Sequence, residues 1–425
     1  MKILWVVNLM LPAIAQELSY PASNREGWLS GLFDSINSMG DEYELSIAFP
    51  MSEPFEGELK VNKASCYAFY ENLATPERYD EGLEEWAGRI LNTVKPDVLH
   101  IFGTEFPHAY AFAKVFNNPE KILVGMQGIC SVIAKDYMAG IPESVRNKVT
   151  FRDFVKKDSL KEQQNKFTLR GENEQKLLGI VKNVAGRTDF DREFVKSINS
   201  DVKYFKLNET MRDVFYSGKW IFNPKNQRCI FMAQADYPIK GMHFLLEAAG
   251  ILVKKYPDLK IKIAGNSIIN RKTLKDKIKT PAYGAYLLSM INRYKLKNNI
   301  EVLGPLTKEQ MKEQYLKCSV FVCPSYVENS PNTVAEAMLL GTPIVASNAC
   351  GIPSVISEKE GFIFNRGMSE DLAKAIESVW EMEKSAHKEL SEKCRASVQR
   401  AKEDYNGLVN TNVLKEIYDE IFRGI

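Results

Sequence analysis

Two acids eight positions apart, Glu328 and Glu336, bracket the run Asn329-Ser330-Pro331-Asn332-Thr333 in a chain of 425 residues. Just before them residues 320–323 are short and apolar, as a buried parallel strand is. After a polar turn the pattern predicts a helix that opens around Asn332 or Thr333 and closes at Gly341. A helix beginning at the carboxyl end of a parallel strand offers free amides and the positive end of its dipole to the loop, which favours a phosphate. A carboxylate accepts hydrogen bonds from two vicinal hydroxyls, so acids flanking a diphosphate suit a ribose on one side and a hexose on the other. The plainer reading is that both acids simply favour a helix N-terminus.

A second strand-to-helix junction runs from Phe231 to Gly241 and precedes a helical pattern with Leu245, Ala248, Ala249 and Leu252 on its apolar face. Lys240 stands at the helix entrance, where an ammonium can neutralise phosphate charge as a leaving group departs; alone, it reads equally as a solvated lysine. Residues 300–310 read as a strand, a turn and a capping-box helix start from Thr307 to Gln310. In the first half, residues 97–108 end a strand and open a helix at Thr104, so that Glu105 and His108 face a cleft or, for His108, the helix surface. The pair Asp189-Phe190-Asp191 has the spacing of a metal-binding motif, yet it leads straight into a helical pattern and reads as a cap. With no His or Cys cluster in the chain, no metal is expected.

These residues need elements to hold them. Short apolar runs alternate with amphipathic stretches from end to end, the rhythm of an α/β chain with parallel sheets covered by helices. Strands are expected at 2–7, 43–49, 98–102, 122–126, 184–186 and 202–207, then at 229–233, 260–264, 300–303, 320–323, 343–346 and 361–364. The polar stretch near 208–227, with Pro224, divides the chain into domains 1–207 and 208–405, followed by a last helical segment, 406–425. A net charge of +2 from 56 basic and 54 acidic residues gives no reason to expect nucleic acid. Seven scattered cysteines without a Cys-x-x-Cys pair fit a reduced, cytoplasmic setting. The first fifteen residues have an apolar run and an Ala-x-Ala, but Asn8 and Pro12 interrupt it and a first buried strand fits as well. Residues 146–170 are locally basic, which reads as a solvated helical face or as a patch for a membrane surface or acidic acceptor.

The segment around the two acids resembles the Glu-x7-Glu signature of the retaining GT-B glycosyltransferases of glycosyltransferase family four. Pro324-Ser325, Glu328, Glu336-Ala337-Met338, Gly341-Thr342-Pro343-Ile344-Val345 and Gly351-Ile352-Pro353 carry the likeness. It implies two Rossmann-like domains whose parallel sheets face across a cleft, with the C-terminal helix packing back on the first. It also implies that Glu328 contacts the transferred sugar and Glu336 the ribose. Amides of Asn329, Ser330, Asn332 and Thr333 would bind the diphosphate with Lys240, and the base would lie near Gly304 and Leu306.

Departures from the family pattern are specific. Gln234 stands nearest the place of a family arginine, Gln127 holds the place of a histidine, and Pro331 offers no N–H where glycine is frequent. An amide positions hydroxyls but cannot act as a base. Thr104, Glu105, His108 and Gln127 are the acceptor-side candidates. The implied reaction moves a hexose from a UDP- or GDP-sugar to a hydroxyl of a glycan or lipid-linked oligosaccharide, with retention and without a metal or prosthetic group. Surface polysaccharide biosynthesis, at the inner face of the membrane with peripheral contact through 146–170, is the implied setting. The alternatives are an epimerase or phosphorylase of the same fold, or an inactive glycan-binding relative. No Gly-x-Gly-x-x-Gly follows a strand, which disfavours a dehydrogenase.

Overall fold

The computed structural model describes residues 1–20, 27–38, 42–269, 273, 276 and 278–424. Two compact units divide the chain: one comprises residues 1–134, 166–212 and 405–425, the other residues 135–165 and 213–404.

The first unit is built on eight strands: β1 (Lys2–Val6), β2 (Glu44–Met51), β3 (Leu59–Val61), β4 (Ala64–Tyr70), β5 (Val98–Phe102), β6 (Ile122–Gly125), β7 (Asn183–Gly186) and β8 (Lys203–Lys206). They lie in the order β3-β4-β2-β1-β5-β6-β7-β8, all parallel except the β3 hairpin partner of β4. Strands β1 and β5 are covered on both faces, and their side chains divide by alternation: Leu4, Val6, Leu99 and Ile101 pack on one side, Ile3, Trp5, Val98 and Phe102 on the other. The helix Gly407–Arg423 adds Leu414, Ile417, Tyr418 and Ile421 to the second of these layers. Its Tyr418 hydroxyl accepts from Trp5 Nε1 at 2.8 Å and lies 2.6 Å from His100 Nδ1. Burial pulls the His100 imidazole down to about 3, so this contact is made by a neutral ring.

The second unit holds six parallel strands: β9 (Cys229–Met232), β10 (Lys260–Ala264), β11 (Ile300–Gly304), β12 (Val320–Cys323), β13 (Ile344–Ser347) and β14 (Phe362–Phe364), ordered β11-β10-β9-β12-β13-β14. Residues 135–165 belong here because they dock on the helix Met242–Leu252. Gly140, at φ +70°, sits where a Cβ would lie 2.5 Å from Phe244, and His243 Nε2 approaches the Ala139 carbonyl at 3.2 Å. Asp153 accepts from the Ala282 amide at 2.9 Å, tying the same segment to the helix Ala282–Arg293. Among the described residues no helix is long and apolar enough to cross a membrane.

On the helix Ser369–Ser385, Glu383 is buried and neither carboxyl oxygen has a hydrogen-bond partner; burial pushes its pKa up to about 8. An acid whose pKa rises on folding lends its full stabilisation below the usual carboxylate range and loses it as pH climbs through the folded value. Stability should therefore decline from about pH 5 toward pH 8. Glu383→Met should raise the urea midpoint at pH 9 by about 1–3 kcal/mol equivalent, the cost of an unsatisfied buried group, and by less at pH 5. A gain that does not change with pH would contradict this.

Candidate functional site

From β9 the chain proceeds outward to β10 and β11, then returns to the other side of β9 for β12. The loops after β9 and β12 consequently part at the carboxyl edge of the sheet, and such a reversal is where open α/β sheets bind ligands. Two backbone contacts lock the loops together. The Tyr326 amide donates to the Ile239 carbonyl at 2.7 Å. Gly241, at φ +75°, lies so close to Pro324 that a Cβ would stand 1.9 Å from its carbonyl oxygen, so no other residue fits there.

That register sets Lys240 against Glu328, with Nζ donating to Oε2 at 2.6 Å. The Lys240 side chain is 23% exposed and that of Glu328 18%, so the pair is reachable from solvent without being bathed in it. Ser325, itself buried, places Oγ 3.4 Å from the same carboxylate oxygen. Burial opposes the Lys240 charge, but the Glu328 carboxylate outweighs it and holds the ammonium pKa above its ordinary value. Lys240 is thus held as a cation, paired directly with Glu328. In the same loop, one oxygen of Asp236 is buried with no hydrogen-bond partner, and its charge reinforces that of Lys240.

The helix after β12 spans Asn332–Leu340 and is stopped by Gly341 at φ +69°. Its cap residue, Pro331, has no side chain to offer, and its carbonyl takes the amides of Val334 and Ala335 at 2.9 and 3.3 Å. Among the described residues the amides of Asn332 and Thr333 find no acceptor, which leaves two donors at the positive end of the helix. Glu336, one turn further, is buried, and its Oε2 accepts from the hydroxyl of Tyr315 at 3.1 Å. Gly351 supports the loop from behind: its amide donates to the Glu328 carbonyl at 3.0 Å, and a Cβ there would lie 2.0 Å from the Asn329 carbonyl oxygen.

The remaining candidates of this half occupy the same edge. Gln234 follows β9, Asn329 and Ser330 follow β12, and Gly304 and Leu306 stand at the end of β11 and just beyond it. Gly304, at φ +77°, accepts from the Gly265 amide at 2.9 Å, joining the ends of β10 and β11.

At the carboxyl edge of the first unit's sheet polar contacts link the loops after β1, β4, β5 and β6, and others link those after β6, β7 and β8. His108 Nδ1 lies 2.8 Å from Glu71 Oε2, and its Nε2 lies 3.1 Å from Asn8 Oδ1. Asn8 donates to Glu105 Oε2 at 3.4 Å, and Glu105 Oε1 accepts from the Gly128 amide at 2.7 Å. Gln127 donates to Glu209 at 3.3 Å, and Arg187 makes an ion pair with the same carboxylate. Thr104 turns instead toward the buried Glu174, which also accepts from Ser131 and the Cys130 amide; burial keeps the Glu174 pKa raised against those hydrogen bonds.

Two expectations change here. The helix begins at Pro107, whose fixed φ and missing N–H suit a first helical position, and not at Thr104. His108 is fully buried within the network, not on the helix surface. Asn8, Glu71, Glu174, Arg187 and Glu209 were not singled out, because partners this far apart in sequence leave no spacing pattern.

Asp191 completes a capping box with Thr188, while Asp189 is exposed and pairs with Arg192. Among the described residues no group of three or more His, Cys, Asp or Glu side chains could hold a metal ion.

Residues 218–399, the segment holding Lys240, Glu328 and Glu336, match the family of glycosyl transferases group 1. Among curated proteins, similarity is found to an uncharacterized glycosyltransferase of Haemophilus influenzae, 28% identical over 33% of this chain and 36% of that protein. A sulfoquinovosyl transferase of Arabidopsis thaliana is 43% identical over 16% and 14% respectively. A D-inositol 3-phosphate glycosyltransferase of Corynebacterium urealyticum is 26% identical over 29% and 28%. The matched stretch thus spans little more than a third of these relatives' length at most. Among solved structures, sucrose-phosphate synthase from Thermosynechococcus elongatus superposes with a TM-score of 0.72 over the whole of both chains at 13% identity. Anabaena HepE in complex with UDP gives 0.64, covering 99% of this chain and all of that one, at 14% identity. The fold is therefore GT-B, and its second unit carries the stretch that matches the glycosyl transferases group 1.

Proposed function

We propose that this chain is a glycosyltransferase that moves a hexose from a nucleotide diphosphate sugar, a UDP- or GDP-sugar, to a hydroxyl of a glycan or lipid-linked acceptor, with retention at the anomeric carbon. The Lys240–Glu328 pair at the strand-order reversal, beside a helix N-terminus with open amides, carries this reading. Asn332 and Thr333 present N–H groups to a diphosphate, with Asn329 and Ser330 on the same turn. Glu336, anchored by Tyr315, supplies a carboxylate for the ribose hydroxyls. The base rests near Gly304 and Leu306, and Gln234 lies at the diphosphate end.

In the reaction the bond from the anomeric carbon to the diphosphate breaks as the acceptor oxygen bonds to that carbon. A phosphate oxygen takes the acceptor proton, and Lys240 with the helix amides stabilises the charge left on the diphosphate. Glu328 orients sugar hydroxyls and keeps Lys240 charged. On the first unit, Glu105 and Gln127 are the groups offered to acceptor hydroxyls, while the buried His108 positions Asn8 against Glu105; Thr104 serves by fixing that loop to Glu174. None of these steps requires a metal ion.

Peripheral contact with the inner face of a membrane is part of the same reading. Val149, Phe151, Phe154 and Val155 are 57%, 70%, 76% and 60% exposed around the short helix Phe151–Lys156, with Lys148, Lys156, Lys157 and Lys161 exposed beside them. Solvated helical faces do not normally expose two phenylalanines, whereas interfacial ones do.

Glu336→Ala should weaken binding of the nucleoside diphosphate about 10–100-fold in calorimetry, the worth of a charge-assisted hydrogen bond. Lys240→Met should lower kcat about 10²–10³-fold and, because the same ammonium contacts the diphosphate, also weaken nucleoside diphosphate binding by about 10-fold or more. Donor binding without hydrolysis or transfer across a panel of acceptors would instead identify an inactive glycan-binding relative.

Vesicles holding about one third anionic lipid should sediment the chain at low salt and release it at high salt. Phe151→Ser with Phe154→Ser should abolish that; equal sedimentation of the double variant would contradict the membrane contact.

A further inference from the structure

The far end of the Asn332–Leu340 helix borders a second, unassigned opening. A groove of about 900 Å³ lies in the second unit between the strap 216–222 and the helix His387–Asp404. Its floor is apolar: Trp220, Phe222, Leu339, Leu340, Cys394 and Val398. The strap is fixed, since the Trp220 amide donates to the Leu340 carbonyl at 2.8 Å and its indole N–H to the Cys318 carbonyl at 2.8 Å. The groove is therefore part of the fold. Its volume lies within the span of small-molecule sites, roughly 300–1,000 Å³.

Charge on its walls has one sign. Lys219, Lys388, Arg395 and Lys402 line the groove and are exposed, His387 joins them, and no Asp or Glu takes part. On the helix, positions 387, 388, 391, 394, 395, 398, 399 and 402 form one face by their three- and four-residue spacing. The acids Glu389, Glu392, Glu403 and Asp404 lie off that face. Arg395 reaches Glu392 only at 3.9 Å, and no salt bridge involves Lys219, Lys388 or Lys402 among the described residues. Cations gathered over an apolar trough repel one another unless an anion joins them.

We propose that this groove binds a single-chain amphiphile with an anionic head, its hydrocarbon tail lying along Trp220, Leu339 and Val398 and its phosphate between Lys388 and Arg395, two turns apart on the same helix face, with Lys402 adding positive charge further along it. The groove opens at the carboxyl end of the Asn332–Leu340 helix, roughly 13 Å along the helix axis from the amides at its start. It is a site apart from the Lys240–Glu328 pair, and it shares no residue with the exposed Phe151–Lys156 helix.

Calorimetric titration with oleoyl lysophosphatidic acid below its micelle concentration tests this, with monooleoylglycerol and glycerol 3-phosphate as the tail-only and head-only probes. One saturable site is expected for the lysophosphatidic acid, with both partial probes at least tenfold weaker. Lys388→Glu with Lys402→Glu, both on exposed and unpaired positions, should lower its affinity at least tenfold, whereas Phe151→Ser with Phe154→Ser should leave it unchanged. Absence of a saturable site, equal affinity in the charge-reversed variant, or loss on changing the two phenylalanines would each overturn the proposal.

Discussion

The contact between Lys240 and Glu328 depends on a glycine and in turn organises the site. Two loops that leave adjacent strands in opposite directions would ordinarily part at their ends. Here Gly241 lets the backbone pass against the Pro324 carbonyl, and the Tyr326–Ile239 hydrogen bond fixes the register, so an ammonium and a carboxylate meet at 2.6 Å where the sheet order reverses. The carboxylate answers for the lysine's charge. Burial alone would push the Lys240 ammonium toward its neutral form, and the Glu328 carboxylate outweighs that. A phosphate arriving at Asn332 and Thr333 would meet a cation whose charge is already maintained and need not be created.

Much of this was legible in the sequence because it is local. Strands at 98–102, 260–264 and 320–323 coincide with their expected limits: the first and last are short, fully buried runs bounded by polar turns, and the middle one alternates Lys260 and Lys262 with buried Ile261 and Ile263. The edge pair β3 and β4 escaped notice: its segment is broken by Asn62-Lys63 and alternates Ser, Cys, Tyr and Ala without a clear apolar run. The strand-turn-helix holding Glu328 and Glu336 was readable for the same reason as the strands, since Gly341 and the Asn-Thr start mark the helix ends on their own.

Contacts between distant segments were not legible. The meeting of Lys240 with Glu328 spans 88 residues and follows from strand order, which no local pattern records. His108 illustrates the other failure: a histidine in the first turn of a helix has no sequence mark of burial, yet Glu71, 37 residues earlier, and Asn8, 100 residues earlier, enclose it. Likewise Thr104 looks like a helix cap by type, but Pro107 fixes the start three residues later and frees the hydroxyl for Glu174.

A crystal structure with a bound UDP- or GDP-sugar would test the central claim most directly. The account predicts the diphosphate within hydrogen-bond distance of the Asn332 and Thr333 amides, Lys240 Nζ on a phosphate oxygen, and Glu336 on the ribose. Density for the nucleotide at another part of the sheet edge, with the Lys240–Glu328 contact untouched and Glu336 turned only to Tyr315, would contradict it.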